Sequence, residues 1–340
     1  MMSKRVTLAD IAKLAGVSRS TVSRALQDSP LISAATKQQI QQIAQQQNYR
    51  PNLVARNLRL NKSNTIAFVL PSMKNREHLM DPFLSKFIGA IGTALRDQNY
   101  DLLITQANLD DPDIGLRYLR SGRADGIIFI GRTTANEPLV AQIAANAPMV
   151  VWGPQLDNQT YCSVGIDNRL WSQKGVAHLI SLGRRRIAFL GEDPRWIEVI
   201  HRFQGYQAAL QQATLPLDPN LIAYMSSADR AGKLAMQTLL AQAPDLDAVF
   251  ANSDVAAIAA MQVLRENGRS VPHDVAVLGF DNISVGNYTT PSLTTISQNL
   301  THGIPILIDK LLQLIDGQTP ASLTVPGQLV IRQSSGALST

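Results

Sequence analysis

Arg19, Ser20, Ser23 and Arg24, near the start of this 340-residue chain, have the types and spacing to hydrogen-bond a nucleic acid. An arginine offers two parallel N–H donors that fit guanine O6 and N7, worth about 1–3 kcal/mol of base discrimination, while hydroxyls bind phosphate oxygens and set register. No other stretch offers chemistry as plainly. There is no Gly-x-x-x-x-Gly-Lys phosphate loop and no Gly-x-Ser-x-Gly elbow, and the five histidines (His78, His178, His201, His273, His302) contain no pair at metal spacing. No catalytic centre, cofactor or metal is therefore expected. An α/β enzyme fused to a DNA-binding head is the weaker alternative.

These side chains need a short helix held at a fixed angle, and the flanking residues supply one. Thr7 and Asp10, three apart, form a capping box before a helix whose Leu8, Ile11, Ala12 and Ala15 share a face. Gly16 permits the reversal, Val17 is an apolar plug, and Ser18 caps a second helix beginning at Arg19, with Val22 and Leu26 turned inward. This is the spacing of a helix-turn-helix, whose second helix enters the major groove. A third helix is predicted from Ser33 through Ile40, Ile43 and Ala44 to about Gln47. Pro51 then opens a short helix reaching about Leu60. That last helix has too few apolar positions to pack alone, and one so short folds only against a partner.

Charge supports the same reading. Residues 1–63 hold ten Lys and Arg against Asp10 and Asp28, a net of +8, whereas the whole chain is +5. The positive charge is thus confined to the head, as phosphate binding requires. No Trp- or Phe-rich amphipathic helix accompanies it, so a membrane surface is not the expected partner. The single cysteine, Cys162, rules out an intramolecular disulfide. With no leader or apolar span apparent, a cytoplasmic, nucleoid-associated protein is expected.

From Thr65 short apolar runs alternate with stretches of helical length. The runs are 66–70, 102–104, 126–130, 149–152, 187–190, 248–250 and 275–278; helices are predicted near 83–98, 113–121, 137–146, 168–182, 198–213, 229–242 and 254–267. Continuous apolar runs mark strands buried on both faces, hence parallel sheet covered by helices. The length of the alternation points to two such sheets with a ligand cleft between them. The expected fold is an all-α helix-turn-helix headpiece (1–50), a hinge (51–63) and an α/β core (64–340).

The chain resembles the lactose-repressor (LacI/GalR) family of bacterial transcription regulators over nearly its whole length. The resemblance rests on Val6-Thr-Leu-Ala-Asp-Ile-Ala-Lys-Leu-Ala-Gly-Val-Ser18, Thr21-Val-Ser-Arg24, Asn48-Tyr-Arg-Pro-Asn52, Val164-Gly-Ile-Asp-Asn168, Leu182-Gly-Arg-Arg-Arg-Ile187, Arg202-Phe-Gln-Gly205 and Gly279-Phe-Asp-Asn282. It implies a periplasmic-binding-protein-like core of two parallel-sheet subdomains, an N-subdomain (about 64–162 and 292–324) and a C-subdomain (about 163–291 and 325–340), the chain crossing between them three times.

The resemblance also implies roles. Arg19 and Ser20 read bases, Arg24 contacts bases and phosphate, and Thr7, Ser18, Thr21 and Ser23 contact phosphates or serve as caps. In the hinge, Arg56 and Asn57 lie along the walls of the minor groove, Leu58 is wedged into a base step, bending the DNA, and Asn52 and Ala55 are further DNA contacts. In the core, Arg202 holds ligand hydroxyls or carboxylates, Asp281 accepts from ligand hydroxyls, and Trp196 either stacks on a pyranose or packs in the core. Ser253 and Asp254 occupy a further ligand position, where Ser253 replaces the family's residue. Trp152 and Arg132 border the cleft. The implied molecule is a homodimer on a pseudo-palindromic operator, repressing carbohydrate-utilisation genes and released by a mono- or oligosaccharide. A purine-type, corepressor-dependent regulator is the alternative. No leucine-heptad tail follows Gln333, so a dimer rather than a tetramer is expected.

Overall fold

In the computed structural model the described residues are 6–26, 28–49, 62–72, 81–108, 113, 115–225 and 232–336. They fall into two compact units, Met1–Lys62 and Ser63–Thr340.

The first unit is a bundle of α1 (Leu8–Ala15), α2 (Arg19–Leu26) and α3 (Ala34–Gln46). Local chemistry sets each end. The Thr7 backbone N–H donates to Asp10 Oδ2 at 2.8 Å, and Asp10 N–H donates back to Thr7 Oγ1 at 3.4 Å, so both halves of the capping box form. Gly16, at φ 67°, adopts the left-handed turn that ends α1. Ser18 Oγ accepts from Thr21 N–H at 3.1 Å and Ser33 Oγ from Thr36 N–H at 3.3 Å, starting α2 and α3. Ile11, Val22, Ala25 and Ile40 are fully buried where the three helices meet. Ala25 takes the inward position on α2 more completely than Leu26, which is half-buried. The short helix expected after Pro51, with Asn52, Ala55, Arg56 and Leu58, lies outside the described residues.

The second unit holds two six-stranded sheets. The first is built from β1 (Thr65–Ser72), β2 (Asp101–Asn108), β3 (Gly126–Ile130), β4 (Met149–Trp152), β5 (Ser163–Ile166) and β11 (Leu323–Val325), in the order β11-β5-β4-β3-β1-β2. Around it lie α4 (Pro82–Asp97), α5 (Leu116–Arg120), α6 (Glu137–Ala144) and α11 (Leu300–Ile315). The second contains β6 (Ile187–Gly191), β7 (Ile222–Tyr224), β8 (Ala248–Ala251), β9 (Ala276–Phe280), β10 (Thr294–Ser297) and β12 (Gln328–Val330), in the order β12-β10-β9-β8-β6-β7. Its helices are α7 (Asn168–Ser181), α8 (Ile197–Gln212), α9 (Lys233–Gln242) and α10 (Asp254–Glu266).

The central strands are buried along their length, as their unbroken apolar runs require. Every strand pair described is parallel except β10 with β12 at an edge, and those two are joined the long way, through α11 and β11.

The chain crosses between sheets three times, and the first two crossings fall later than the boundaries the resemblance implies. β5 pairs with β4 and β11, so the first crossing follows Ile166 rather than Cys162. β10 pairs with β9, so the return comes after Ser297 rather than before 292, and the last crossing lies between Val325 and Gln328. β5 and β10 each extend their sheet by one more position before the chain leaves it.

Candidate functional site

On α2 the side chains of Ser18, Arg19, Ser20 and Arg24 are exposed, while Thr21 and Ser23 are half-buried. Val22 and Ala25 face the bundle, so the arginines are held on the opposite side. Ser18 Oγ also shares hydrogen bonds with Ser20 Oγ at 2.7 Å and Thr21 Oγ1 at 2.8 Å, so three hydroxyls form one exposed cluster at the helix start. A helix N-terminus bordered by hydroxyls suits a phosphate. Thr7 is exposed too, with its hydroxyl donating to Asp10 Oδ2 at 2.7 Å, a capping role that leaves the oxygen able to accept. Lys37 is paired with Asp28 at 2.7 Å, which neutralises one of the head's two acids.

In the core, a cleft of about 170 Å³ opens where the carboxyl ends of both sheets meet. Its walls come from the residues that follow parallel strands: Gly131 after β3, Gly153 after β4, Glu192 after β6, Asn252 and Ser253 after β8, Asp281 after β9 and Gln298 after β10. In open α/β sheets this is where ligands bind, because helix N-termini and loop backbone converge there. Asp81, Trp196 and Ser253 are the N-caps of α4, α8 and α10, and Asn168 opens α7.

Arg202, 6 % exposed, is the central cation. Its Nε donates to Asn168 Oδ1 at 2.9 Å, its Nη1 to the Asn252 carbonyl, and its Nη2 lies 3.7 Å from Asp281 Oδ1. The guanidinium carbon stands 3.7 Å from the centre of the Phe280 ring, a stacked arrangement favourable for a cation. Burial holds the Asp281 carboxyl well above the usual range, opposed by the Arg202 charge. Gln298 ties the site across the two sheets: its Nε2 donates to Asp281 Oδ1 at 2.6 Å and its Oε1 accepts from Trp152 Nε1 at 3.1 Å. Asp281 itself has φ 110°, a left-handed backbone that turns its carboxylate toward Arg202 and Gln298.

Of the residues singled out in the sequence, Trp152, Trp196, Arg202, Ser253 and Asp281 line this cleft. Trp196 is 9 % exposed and lies where the Arg132–Thr134 and Arg195–Ile197 segments pair, with Thr134 N–H donating to the Arg195 carbonyl and Ile197 N–H to that of Arg132. Trp152 is wedged under α11, where a Cβ at Gly303 would come within 2.7 Å of the indole.

Two expected ligand contacts are not met by the geometry. Asp254 is fully buried, its Oδ2 accepting from Ile283 N–H at 2.7 Å and its Oδ1 from Thr295 Oγ1 at 2.5 Å, so it secures the loop that carries Asp281. Its carboxyl is pushed up to about 7 by burial. Arg132, also fully buried, donates to Gln159 Oε1 at 2.9 Å, Tyr161 Oη at 2.8 Å and the Pro154 carbonyl, fastening the loop after β4. Conversely, Asn168, Glu198, Asn252 and Gln298 belong to the cleft and were not singled out as ligand residues. Glu198 had a readable signal, since it precedes Arg202 by one helical turn and so shares its face.

The two units define a class: a ligand-binding α/β body of the doubly wound, two-sheet kind, preceded by a helix-turn-helix that exposes a basic reading face. Residues 7–52 match the bacterial regulatory proteins, lacI family, and residues 176–335 match the periplasmic binding protein-like domain. The HTH-type transcriptional regulator CelR of Thermobifida fusca is 32 % identical over 97 % of this chain and 98 % of its own length. The probable HTH-type transcriptional repressor ExuR of Bacillus subtilis is 32 % identical over 98 % and 100 %. Among solved structures, the lac repressor dimer bound to operator and the anti-inducer ONPF superposes with a TM-score of 0.86 at 25 % identity, covering 98 % of this chain and all of that one. The CelR–cellobiose complex gives 0.71 at 30 %, covering 97 % and all of that chain. The chain belongs to the lacI family of bacterial transcriptional regulators.

Proposed function

We propose that this regulator represses carbohydrate-utilisation genes as a homodimer on a pseudo-palindromic operator and is released when a mono- or oligosaccharide enters the cleft. The carrying observation is the cleft itself: a buried guanidinium, Arg202, set against Asp281, with Trp196 and Trp152 on its walls. Polar groups that pair with hydroxyls beside apolar aromatic faces suit a pyranose, which has both kinds of surface. Two relatives carry names that fit. CelR has been solved with cellobiose, and the lac repressor with its operator.

In this reading Arg19, Ser20 and Arg24 select the operator, with Thr7, Ser18, Thr21 and Ser23 on phosphates, Leu58 in the minor groove, Arg56 and Asn57 along its walls, and Asn52 and Ala55 as further contacts. Because the cleft lies between two sheets joined by three crossings, ligand contacts to both sheets favour one angle between them. A ligand shifts the balance only by its differential affinity for the two arrangements. A thermal-shift screen of sugars, followed by operator binding with and without the hit, tests the reading. A sugar that raises the melting temperature and weakens operator binding supports it, and a hit confined to purines overturns it.

A further inference from the structure

The halves of the core are also joined outside the cleft wall. Lys86, exposed on α4, reaches from the helix layer of the first sheet to the second sheet, its Nζ donating to the Asn282 carbonyl at 2.8 Å. Lys86 does not line the cleft, but α4 carries Asp81, Phe83 and Leu84 into the wall. Asn282 directly follows Asp281, which faces Arg202. One side-chain bond therefore connects the helix behind one wall to the turn that holds a cleft carboxylate of the other.

The turn that receives Lys86 is fixed to its own sheet. Asp281 and Asn282 have φ 110° and 52°, two successive left-handed residues that persist only where their surroundings hold them. The N–H groups of Asp281, Asn282 and Ile283 donate to the Ile296 carbonyl, Thr295 Oγ1 and Asp254 Oδ2, and Arg332 Nη2 donates to Asn282 Oδ1 at 2.7 Å. All of these partners belong to the second sheet or its flanking segments, so the turn moves with that sheet. The Asp254 and Asp281 charges attract the Lys86 ammonium, and Arg332 opposes them. Elsewhere the halves meet through backbone, at Thr134 with Arg195 and Ile197 with Arg132, where no side chain can be exchanged to break the bond.

We propose that Lys86 is a latch between the two sheets, a positioning residue that stabilises one angle between them and so sets the balance between sugar binding and operator binding without touching the sugar. A residue that favours one arrangement strengthens the ligand that prefers it and weakens the other. A contact that merely supports the fold weakens both when it is lost. The balance rests on reading the cleft as a sugar site, whereas the latch itself does not.

The test uses the full chain. Lys86→Met keeps the stem and removes the donor, and Lys86→Arg keeps both donor and charge. Sugar binding is read by calorimetry with glucose, galactose and cellobiose, and operator binding on a site selected from random DNA. Lys86→Met should weaken one of the two by about fivefold, the scale of an exposed charge-assisted hydrogen bond, with the other unchanged or tightened. Lys86→Arg should stay close to wild type. Both affinities unchanged, both falling together, or an arginine variant as impaired as the methionine variant overturns the proposal. A second readout needs no sugar: nitroxide labels at Arg96→Cys on α4 and Leu234→Cys on α9, both exposed, report the distance between the halves in a Cys162→Ser background. Adding Lys86→Met should shift or broaden that distance distribution, and an unchanged distribution overturns the latch. If no sugar binds, the sugar reading fails while the distances still decide the latch.

Discussion

Replacing Arg202 by methionine should destabilise the ligand-free core substantially, because the guanidinium holds the cleft floor before any ligand arrives. The change removes the donors to Asn168 Oδ1 and the Asn252 carbonyl, the charge 3.7 Å from Asp281 Oδ1, and the stack on Phe280. Both members of the ion pair are buried, with side-chain exposures of 8 % and 9 %. Breaking a buried pair by deleting one partner costs about 3–5 kcal/mol, mostly because the remaining charge is stranded. Methionine fills a similar volume, so little of this loss is cavity. Asp281, already above its ordinary range through burial, loses the opposing Arg202 charge and rises further, taking up a proton that limits the cost. For a core of this size about 2 °C of melting temperature accompanies each kcal/mol, giving a fall of roughly 6–10 °C near pH 8. The deficit should shrink as pH is lowered from there, because the stranded carboxyl takes up a proton. Calorimetric melts of wild type and variant across that range measure both effects. A variant melting within a degree of wild type at pH 8, or a deficit independent of pH, would refute the reasoning.

Two further outcomes follow from the geometry. Asp254 is buried with its carboxyl pushed up to about 7 from an ordinary 3.8, so the folded state keeps its proton over a range where the unfolded chain has lost it. The stability this group contributes is full below about pH 4 and is lost as pH rises through 7. The wild type should therefore lose about 1–3 kcal/mol more than Asp254→Asn between pH 5 and 7, and parallel denaturation profiles would contradict this. In the head, Arg19 is exposed on the face opposite buried Val22 and Ala25. Arg19→Ala should cost about 1–3 kcal/mol of operator affinity and relax selectivity at one base position without altering the melt of the head; a uniform loss across all sequences would mark it as a phosphate contact only.

What could be read beforehand depended on how local the determining physics was. The α1–turn–α2 unit was legible residue by residue because its caps are short-range: Thr7 with Asp10, Gly16 in the left-handed region, Ser18 with Thr21. The central strands showed as apolar runs because both faces are buried. β5 and β10 did not, since Ser163, Thr294 and Thr295 are buried through hydrogen bonds to Ser322, Ser334 and Asp254 rather than through apolar character. Helix α11 was missed for a physical reason too. Gly303 and Pro305 both argue against a helix, yet Gly303 makes room for Trp152, and Pro305, inside the helix, forgoes a single backbone bond that the buried face of Leu300, Ile304, Leu307, Ile308 and Leu311 outweighs.

In the site, Arg202, Asp281 and Trp196 sit within or close to motifs, and the fold brings them to one cleft. The resemblance puts Asp254 in the cleft, but α10 turns its carboxylate onto Ile283 and Thr295. Arg132 was placed by its strand end, and three fixed acceptors draw it inward instead. Asn252 and Gln298 carry no signature of their own, and Glu198 has only its place one helical turn before Arg202. Their importance comes from what faces them across the cleft, which only the three crossings create.

The most direct test of the account is the affinity of the full chain for an operator recovered by selection from random DNA, measured with and without the sugar found in the thermal-shift screen. The account predicts that saturating sugar weakens operator binding by about 5–150-fold, the usual span of allosteric coupling. A sugar that binds the cleft yet leaves operator affinity unchanged, or tightens it, would contradict the account.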